Sequence, residues 1–205
     1  ACGPLFTFRS GLFRGLIPAK LCGLPQRDNS SFDFRTFTRE GQMAVDAYLQ
    51  IEGIKGESAD DRHKDWIEVS NVAWSVHQPR ASVVSTAGGH TTGRASLSDM
   101  SFRKLADLSS PVLQQHCAMG KTLPKARFEF MRADGDGKPI CYYAVELENV
   151  MISGVNPTSG EGGIINEHVF LAFSKMKWKY TKQGIRGGTD GNSSGGWDCA
   201  AHKCV

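Results

Sequence analysis

Long apolar runs are missing from this sequence. No stretch approaches the run of about eighteen apolar residues that crosses a bilayer, so no helical membrane anchor is expected. Cysteine pairs at metal spacing are missing too. The six cysteines are Cys2, Cys22, Cys117, Cys141, Cys199 and Cys204, and no two are separated by two residues, as zinc ribbons and related sites require. Cys117 and Cys141 fall in apolar patterns and read as small buried hydrophobes. Reduced thiols are expected, with an occasional bridge between Cys199 and Cys204 near the end of the chain. His63, His77, His90, His116, His168 and His202 are scattered, with no pair at the four-residue spacing of a metal-binding helix. No metal or other cofactor is expected.

A surplus of one charge is scarce. The net charge of +3 is carried by the first segment: residues 1–42 hold six basic residues and three acidic ones, which leaves 18 of each sign in residues 43–205. A nucleic-acid-binding domain needs a basic stripe on its folded body, so nucleic acid is not an expected partner.

A catalytic constellation is also missing. Gly191-Asn192-Ser193-Ser194-Gly195 has the Gly-x-Ser-x-Gly spacing of a hydrolase elbow, but it sits in a polar stretch without the flanking strand and helix that such an elbow needs. Gly120-Lys121-Thr122 matches the end of a phosphate-binding loop, yet it closes a helix instead of opening one. In Asp134-Gly135-Asp136-Gly137 the calcium-ligand series stops at Lys138, and a hairpin turn accounts for the residues better. Trp66, Trp74 and Trp178 fall on strands, where packing is their expected role.

What is present is alternation. From Val45, the residues Val45, Ala47, Leu49 and Ile51 alternate with Asp46, Tyr48, Gln50 and Glu52, the period of a half-buried strand. Gly53 and Gly56 end it, and a charged loop follows at 57–65. A second strand is expected over 66–76, with a bulge at Ser70-Asn71 that returns Val72, Trp74 and Val76 to the face of Ile67 and Val69. Ser75 then points away from the core. A long loop spans 77–93, marked by Pro79, Gly88, Gly89 and Gly93, and Val83 and Val84 sit awkwardly in it. Extended structure resumes toward Phe102.

One helix is expected at "SSPVLQQHCAMGK", with Ser110 as N-cap, Pro111 in the first turn and Gly120 as the left-handed terminator. A hairpin follows around "ADGDGKP", then a Gly-rich loop at 153–166, a last strand at 167–180 and a Gly-rich polar tail over 181–205. The predicted fold is mainly β: an antiparallel barrel or two-sheet sandwich with one short flanking helix, spanning 43–180.

Residues 1–42 have no sustained period. Arg39-Glu40-Gly41 back-translates to a purine-rich run just before the codon for Met43, which is how a bacterial ribosome-binding site reads when translated. The segment is therefore expected to be a start assigned too far upstream, or else a disordered extension.

The quoted residues resemble a family. "MAVDAYLQIEGIKGES" at 43–58, "AWS" at 73–75, "LSDMSFRK" at 97–104, "SSPVLQQHCAMGK" at 109–121 and "GGWD" at 195–198 follow, in order, the pattern of the Hcp proteins of bacterial type VI secretion. The resemblance leaves 1–42 untouched and departs from the pattern in the loop 57–65 and at the end of the chain. It implies a non-enzymatic subunit that assembles into six-membered rings and stacks them into a tube inside a contractile sheath. The tube, tipped by a VgrG-like spike protein, is driven into a neighbouring cell and carries small effector proteins in its lumen. It also implies assembly in the bacterial cytoplasm and export without a signal peptide, in competition between bacteria or in virulence. By resemblance Ser75 matches a lumen position and a candidate effector contact. Val83, Val84 and His90 become candidate ring or stacking contacts. A non-polymerising adaptor or effector-binding module of the same family is the alternative.

Overall fold

The computed structural model describes residues 46–79, 93–135, 137–184 and 188–205. The chain divides into two units, Ala1–Glu40 and Gly41–Val205, and the described residues all belong to the second.

The first strand, β1 (Asp46–Ile51), buries Ala47, Leu49 and Ile51 and leaves Asp46 and Gln50 in solvent, as its alternation demands. In β2 (Ile67–Ala73), Ile67 and Val69 are buried. Asn71 then takes a positive φ of 49°, and the register against the next barrel strand shifts between Ser70 and Ala73. This is the expected bulge, and beyond it Val72 and Trp74 pack against the core. The strand stops at Ala73, short of Val76. Val76–His77 instead form β3, which pairs with β4 (Ser96–Leu97) in a separate two-stranded arm.

After β5 (Met100–Leu105) comes the helix α1 (Ser110–Met119). Pro111 lies in its first turn. Gly120 ends it at φ 61° and ψ 30°, with the Gly120 N–H donating to the Cys117 carbonyl and the Lys121 N–H to that of His116. The N-cap residue is Ser109, not Ser110, and it makes no side-chain capping bond. The Ser110 hydroxyl is taken up by a buried polar network described below.

The hairpin of β6 (Thr122–Ala133) and β7 (Pro139–Ser159) turns as expected. Asp134 organises the turn: its N–H donates to the Lys138 carbonyl at 2.8 Å and its carboxylate accepts the Lys138 N–H at 2.8 Å. The Gly-rich stretch 153–166, read as a loop, is mostly strand. β7 runs on to Ser159, a single 3-10 turn, η1 (Glu161–Gly163), follows, and β8 (Ile165–Ala172) returns alongside. A Cβ at Gly154 would stand 3.3 Å from the Phe170 ring, at a slip in the β7–β8 register. Glycine there serves a bulge inside the ladder, which composition alone does not distinguish from a loop.

The single last strand expected at 167–180 is two strands, β8 and β9 (Lys175–Gln183), with a corner at Phe173-Ser174. The buried parity changes across it, from Val169 and Leu171 to Met176. Beyond it, the residues read as a polar tail form β10 (Thr189–Asp198) and β11 (Lys203–Cys204). Gly195 lets the Trp178 indole lie against β10, since a Cβ there would fall 2.9 Å from Nε1.

The sheet runs β11-β10-β9-β7-β6-β1-β2-β5-β8, and β8 pairs back onto β7. The early part of β7 pairs with β6 and β9, and the late part, from Met151, with β8. Strands β7, β6, β1, β2, β5 and β8 therefore close an antiparallel six-stranded barrel, and β9, β10 and β11 extend from its wall. The fold is the mainly β barrel with one flanking α-helix that the sequence predicts. Its centre is filled by Leu49, Ile67, Met100, Phe102, Leu113, Phe128, Val145, Leu147, Val169, Leu171 and Met176, all 0% exposed. Phe102 and Phe128 meet edge to face, with ring centroids 5.7 Å apart. Each such side chain contributes about 1.5–3 kcal/mol on burial. Among the described residues no helix is long and apolar enough to cross a membrane.

Candidate assembly surfaces

Ser75 sits where β2 gives way to the β3–β4 arm, and it is exposed. Its backbone is fixed from both directions: the Ser75 N–H donates to the Ser98 hydroxyl at 2.9 Å, and the Ser98 N–H donates to the Ser75 carbonyl at 3.0 Å. The preceding residue faces the other way. Trp74 stacks on Tyr143 at 6.0 Å, and Tyr143 meets Phe130 edge-on. Alternation thus turns Ser75 outward because Trp74 is held inward. The three other candidate residues, Val83, Val84 and His90, lie outside the described residues.

Two polar clusters went unnoticed in the sequence. In the first, Lys104 is buried where β5 and β8 meet the start of α1. Its Nζ lies 2.9 Å from Glu167 Oε2, 2.7 Å from Asp107 Oδ1 and 2.9 Å from Ser110 Oγ, and it donates to the Leu105 carbonyl at 2.8 Å. Glu167 also accepts from the Ser110 hydroxyl at 2.7 Å and from Gln114 at 3.3 Å. A buried ion pair is tolerable only when its remaining lone pairs and protons are satisfied, and here they are.

In the second cluster, His63 folds the charged loop back onto β1 and β6. Its Nδ1 lies 2.7 Å from Asp60 Oδ2 and its Nε2 2.9 Å from Glu129 Oε2. Its ring stacks on Tyr48 at 4.2 Å and meets Trp66 edge-on at 4.8 Å. The hydrogen bond with His63 holds the Asp60 carboxyl below the usual carboxylate range. Burial, with the nearby Asp46, Asp60 and Glu68, raises the Tyr48 hydroxyl. With both ring nitrogens occupied and the ring buried, His63 acts as a clamp and has no free nitrogen to offer a substrate. Spacing 66 residues apart hides the His63–Glu129 contact from any local pattern.

The outer faces of β6, β7 and β9 carry cross-strand ion pairs. Lys125 and Arg127 meet Glu146, and Lys177 meets Glu148 at 2.7 Å, which holds the Glu148 carboxyl low. Apolar side chains also reach solvent at the end of the β5–β8 ladder: Leu105, Leu108, Ile164 and Ile165 are exposed there, and the Ala106 N–H donates to the Ile165 carbonyl. Ser193 of the Gly-x-Ser-x-Gly match lies within β10, not at a strand-to-helix elbow. Gly120-Lys121-Thr122 joins the end of α1 to β6. No group of three or more His, Cys, Asp or Glu arranged to hold a metal occurs among the described residues.

A closed six-stranded barrel with a sheet extension and one helix is a distinctive combination, and known proteins share it. The family model described as "Type VI secretion system effector, Hcp" matches residues 48–180. The chain belongs to the Hcp family. Protein hcp1 of Pseudomonas aeruginosa strain PAO1 is 34% identical over 151 residues, covering 73% of this chain and 91% of that protein. A solved type six secretion system protein superposes with a TM-score of 0.73 at 27% identity, covering 79% of this chain and 100% of its own. Hcp1 from Salmonella typhimurium superposes at 0.64 with 32% identity, covering 80% of this chain and 100% of its own. This Hcp chain is thus a type VI secretion protein, of a family whose role is structural. The matched stretch includes Ser75, Val83, Val84 and His90, whereas β10 and β11 lie beyond it.

Proposed function

We propose that this chain is the tube subunit of a type VI secretion apparatus. Six copies close into a ring, and rings stack into a tube that the contractile sheath expels behind a VgrG-like spike. The lumen holds small effector proteins during delivery into a target cell. The chain is made in the bacterial cytoplasm, leaves through the apparatus itself and performs no catalysis. The observation that carries this reading is the match to Hcp proteins across the whole barrel, together with 91% coverage of Pseudomonas hcp1. In this reading Ser75 faces the lumen as an effector contact, and Val83, Val84 and His90 lie at contacts between subunits or rings.

The test is the native mass of the purified chain by light scattering on a sizing column, with electron micrographs of the same peak. A six-subunit species appearing as a ring is expected. A monomer at every concentration overturns the tube reading in favour of a non-polymerising adaptor.

A further inference from the structure

His63 stands between two carboxylates, and each of them accepts from other donors as well. Asp60 Oδ2 lies 3.1 Å from the Arg62 N–H nitrogen, 3.1 Å from the His63 N–H nitrogen and 2.7 Å from His63 Nδ1. Glu129 meets His63 Nε2 with Oε2 at 2.9 Å and Arg127 Nη2 with Oε1 at 2.6 Å. A carboxylate accepts hydrogen bonds and donates none, so each ring nitrogen has to supply a proton. A neutral imidazole has one N–H. Its second nitrogen would turn a lone pair toward a carboxylate oxygen, on a side chain that is 3% exposed. An unmet polar contact in so buried a place is costly.

The groups packed around the ring favour the same state. From β1, Tyr48 lies face to face with it, with Asp46 two residues before. The cross-strand neighbours of Tyr48 are Glu68 of β2 and Glu129 of β6. β6 adds Arg127, and β7 adds Cys141, whose thiol is pushed up by burial and by Glu129. On the loop itself lie Asp60 and Arg62, and Arg62 turns away to donate to the Pro139 carbonyl at 2.7 Å. Asp46, Asp60, Glu68 and Glu129 thus set four negative charges around the site, against Arg127 beside Glu129. A positive ring is attracted by that surplus and by the π face of Tyr48.

What the ring holds down is a strap, residues 57–65. Ser58 is buried in it, with its N–H donating to the Trp66 carbonyl and its carbonyl accepting the Asp65 N–H, both at 3.0 Å. At the start of the strap Glu57 Oε1 accepts the Leu108 N–H at 2.9 Å, which ties it to the turn leading into α1. Beside it β2 pairs with β5 at Ser70 and Ala73, and ahead of Ser70 no pairing between them occurs among the described residues. A cleft of about 490 Å³ opens there, with Glu57, Ser58, Glu68 and Val69 facing Lys104 and Asp107. We infer that His63 is the pin of a pH-operated latch. With a proton on both ring nitrogens it bridges Asp60 and Glu129 and the strap is shut. When the ring loses one proton as pH rises, the strap lets go of β6 and of Leu108, and the cleft widens toward the Lys104 cluster. The bridge contributes stability only while both protons are bound, so that contribution is lost as pH rises. The latch lies within one subunit and stands apart from the tube-subunit reading.

The experiment follows the full-length chain from about pH 6 to about pH 9.5, across the ordinary histidine value of about 6.5. Nitrogen NMR shifts of the imidazole, assigned by their loss in His63→Gln, count the protons on the ring. Native-state amide hydrogen exchange, corrected for the intrinsic pH dependence of exchange, reads the strap and Leu108. Two ring protons are expected at pH 6. Loss of one should coincide with a fall of about tenfold in protection at 57–66 and at Leu108, while Val169 and Leu171 in β8 keep theirs. His63→Gln should be poorly protected in the strap at every pH. Glu129→Gln separates the latch from simple damage, because its amide can donate to a neutral ring nitrogen. In that variant the strap should stay shut as pH rises. A ring with one proton at pH 6, or deprotonation that leaves the protection of the strap unchanged, overturns the latch. So does a Glu129→Gln variant whose strap opens with pH as the parent's does.

Discussion

Lys104 Nζ lies 2.9 Å from Glu167 Oε2 with the two side chains 0% and 1% exposed, a complete ion pair sealed into the barrel wall. It joins β5 to β8, and through Ser110 and Asp107 it fixes the start of α1 to both. The helix has no side-chain cap of its own and is only ten residues long, so it depends on such tertiary anchoring.

Removing one partner leaves a buried charge without compensation. Lys104→Met is expected to cost about 3–5 kcal/mol of unfolding free energy. Adding Glu167→Leu should recover part of that loss, because the orphaned carboxylate is then gone. Urea denaturation of the two single variants and the double variant measures this. Losses that simply add would show that the two groups are not coupled.

Gly56 makes a different kind of demand. A Cβ at this position would lie 2.3 Å from the Trp66 carbonyl oxygen and 2.6 Å from its carbon. Both are backbone atoms, fixed further by the Gly56 N–H donating to Asp65 and the Ser58 N–H donating to Trp66. Gly56→Ala must push two chain segments apart, at a cost of about 1–3 kcal/mol. That corresponds to a fall in melting temperature of about 2–4 °C for each kcal/mol in a domain of this size. An unchanged melt would mean that the loop relaxes freely.

Local pattern revealed what local physics controls. The alternation of β1, the bulge at Asn71, the Pro111 and Gly120 ends of α1 and the Asp134 turn are all set by neighbours in sequence, and all were legible. The strands at 153–159 and 189–198 were not. Their glycine, serine and proline residues favour loops, and only pairing with β8 and β9 makes them extended. The division of the last expected strand at Phe173-Ser174 was hidden for the same reason, since it reflects a change of partner along β7. Of the candidate site, the outward turn of Ser75 followed from parity. The clusters around Lys104 and His63 join residues 63 and 66 positions apart, beyond the reach of any window.

The Asp60–His63 contact makes an acid-side prediction. The hydrogen bond with His63 lowers the Asp60 carboxyl in the folded state. Its contribution to stability is therefore present above the ordinary aspartate value of about 3.9 and is lost as pH falls through the lowered folded value. Asp60→Asn removes that contribution. The stability gap between parent and variant should be full at pH 6 and shrink steadily below about pH 4. Urea midpoints measured from pH 6 to pH 2.5 provide the check, and a gap independent of pH would assign the loss to packing instead.

The tube reading makes Val83 and Val84 a covered pair. Apolar side chains at the surface of one subunit are tolerated when another subunit shields them, at about 25 cal/mol for each Å² removed from water. Val83→Asp with Val84→Asp should weaken rings and stacked tubes in sizing and micrographs while the thermal melt of the barrel stays put. Normal assembly in that variant would remove Val83 and Val84 from the contact.

Ser75 allows the lumen to be tested apart from the ring. Its backbone is pinned to Ser98 by two hydrogen bonds, and its side chain is exposed, so a larger residue there disturbs neither the core nor the Trp74–Tyr143 stack. Ser75→Gln lengthens the side chain by two carbons and adds an amide, which must compete for space with anything bound against that face. Ring mass and melting temperature should match the parent. Capture of small secreted proteins, quantified by mass spectrometry of material co-purified from the producing cells, should fall about tenfold, equivalent to about 1.4 kcal/mol of contact. Equal capture by variant and parent would place Ser75 away from the cargo. A loss of rings would instead place it at the seam between subunits, beside the arm that begins one residue later.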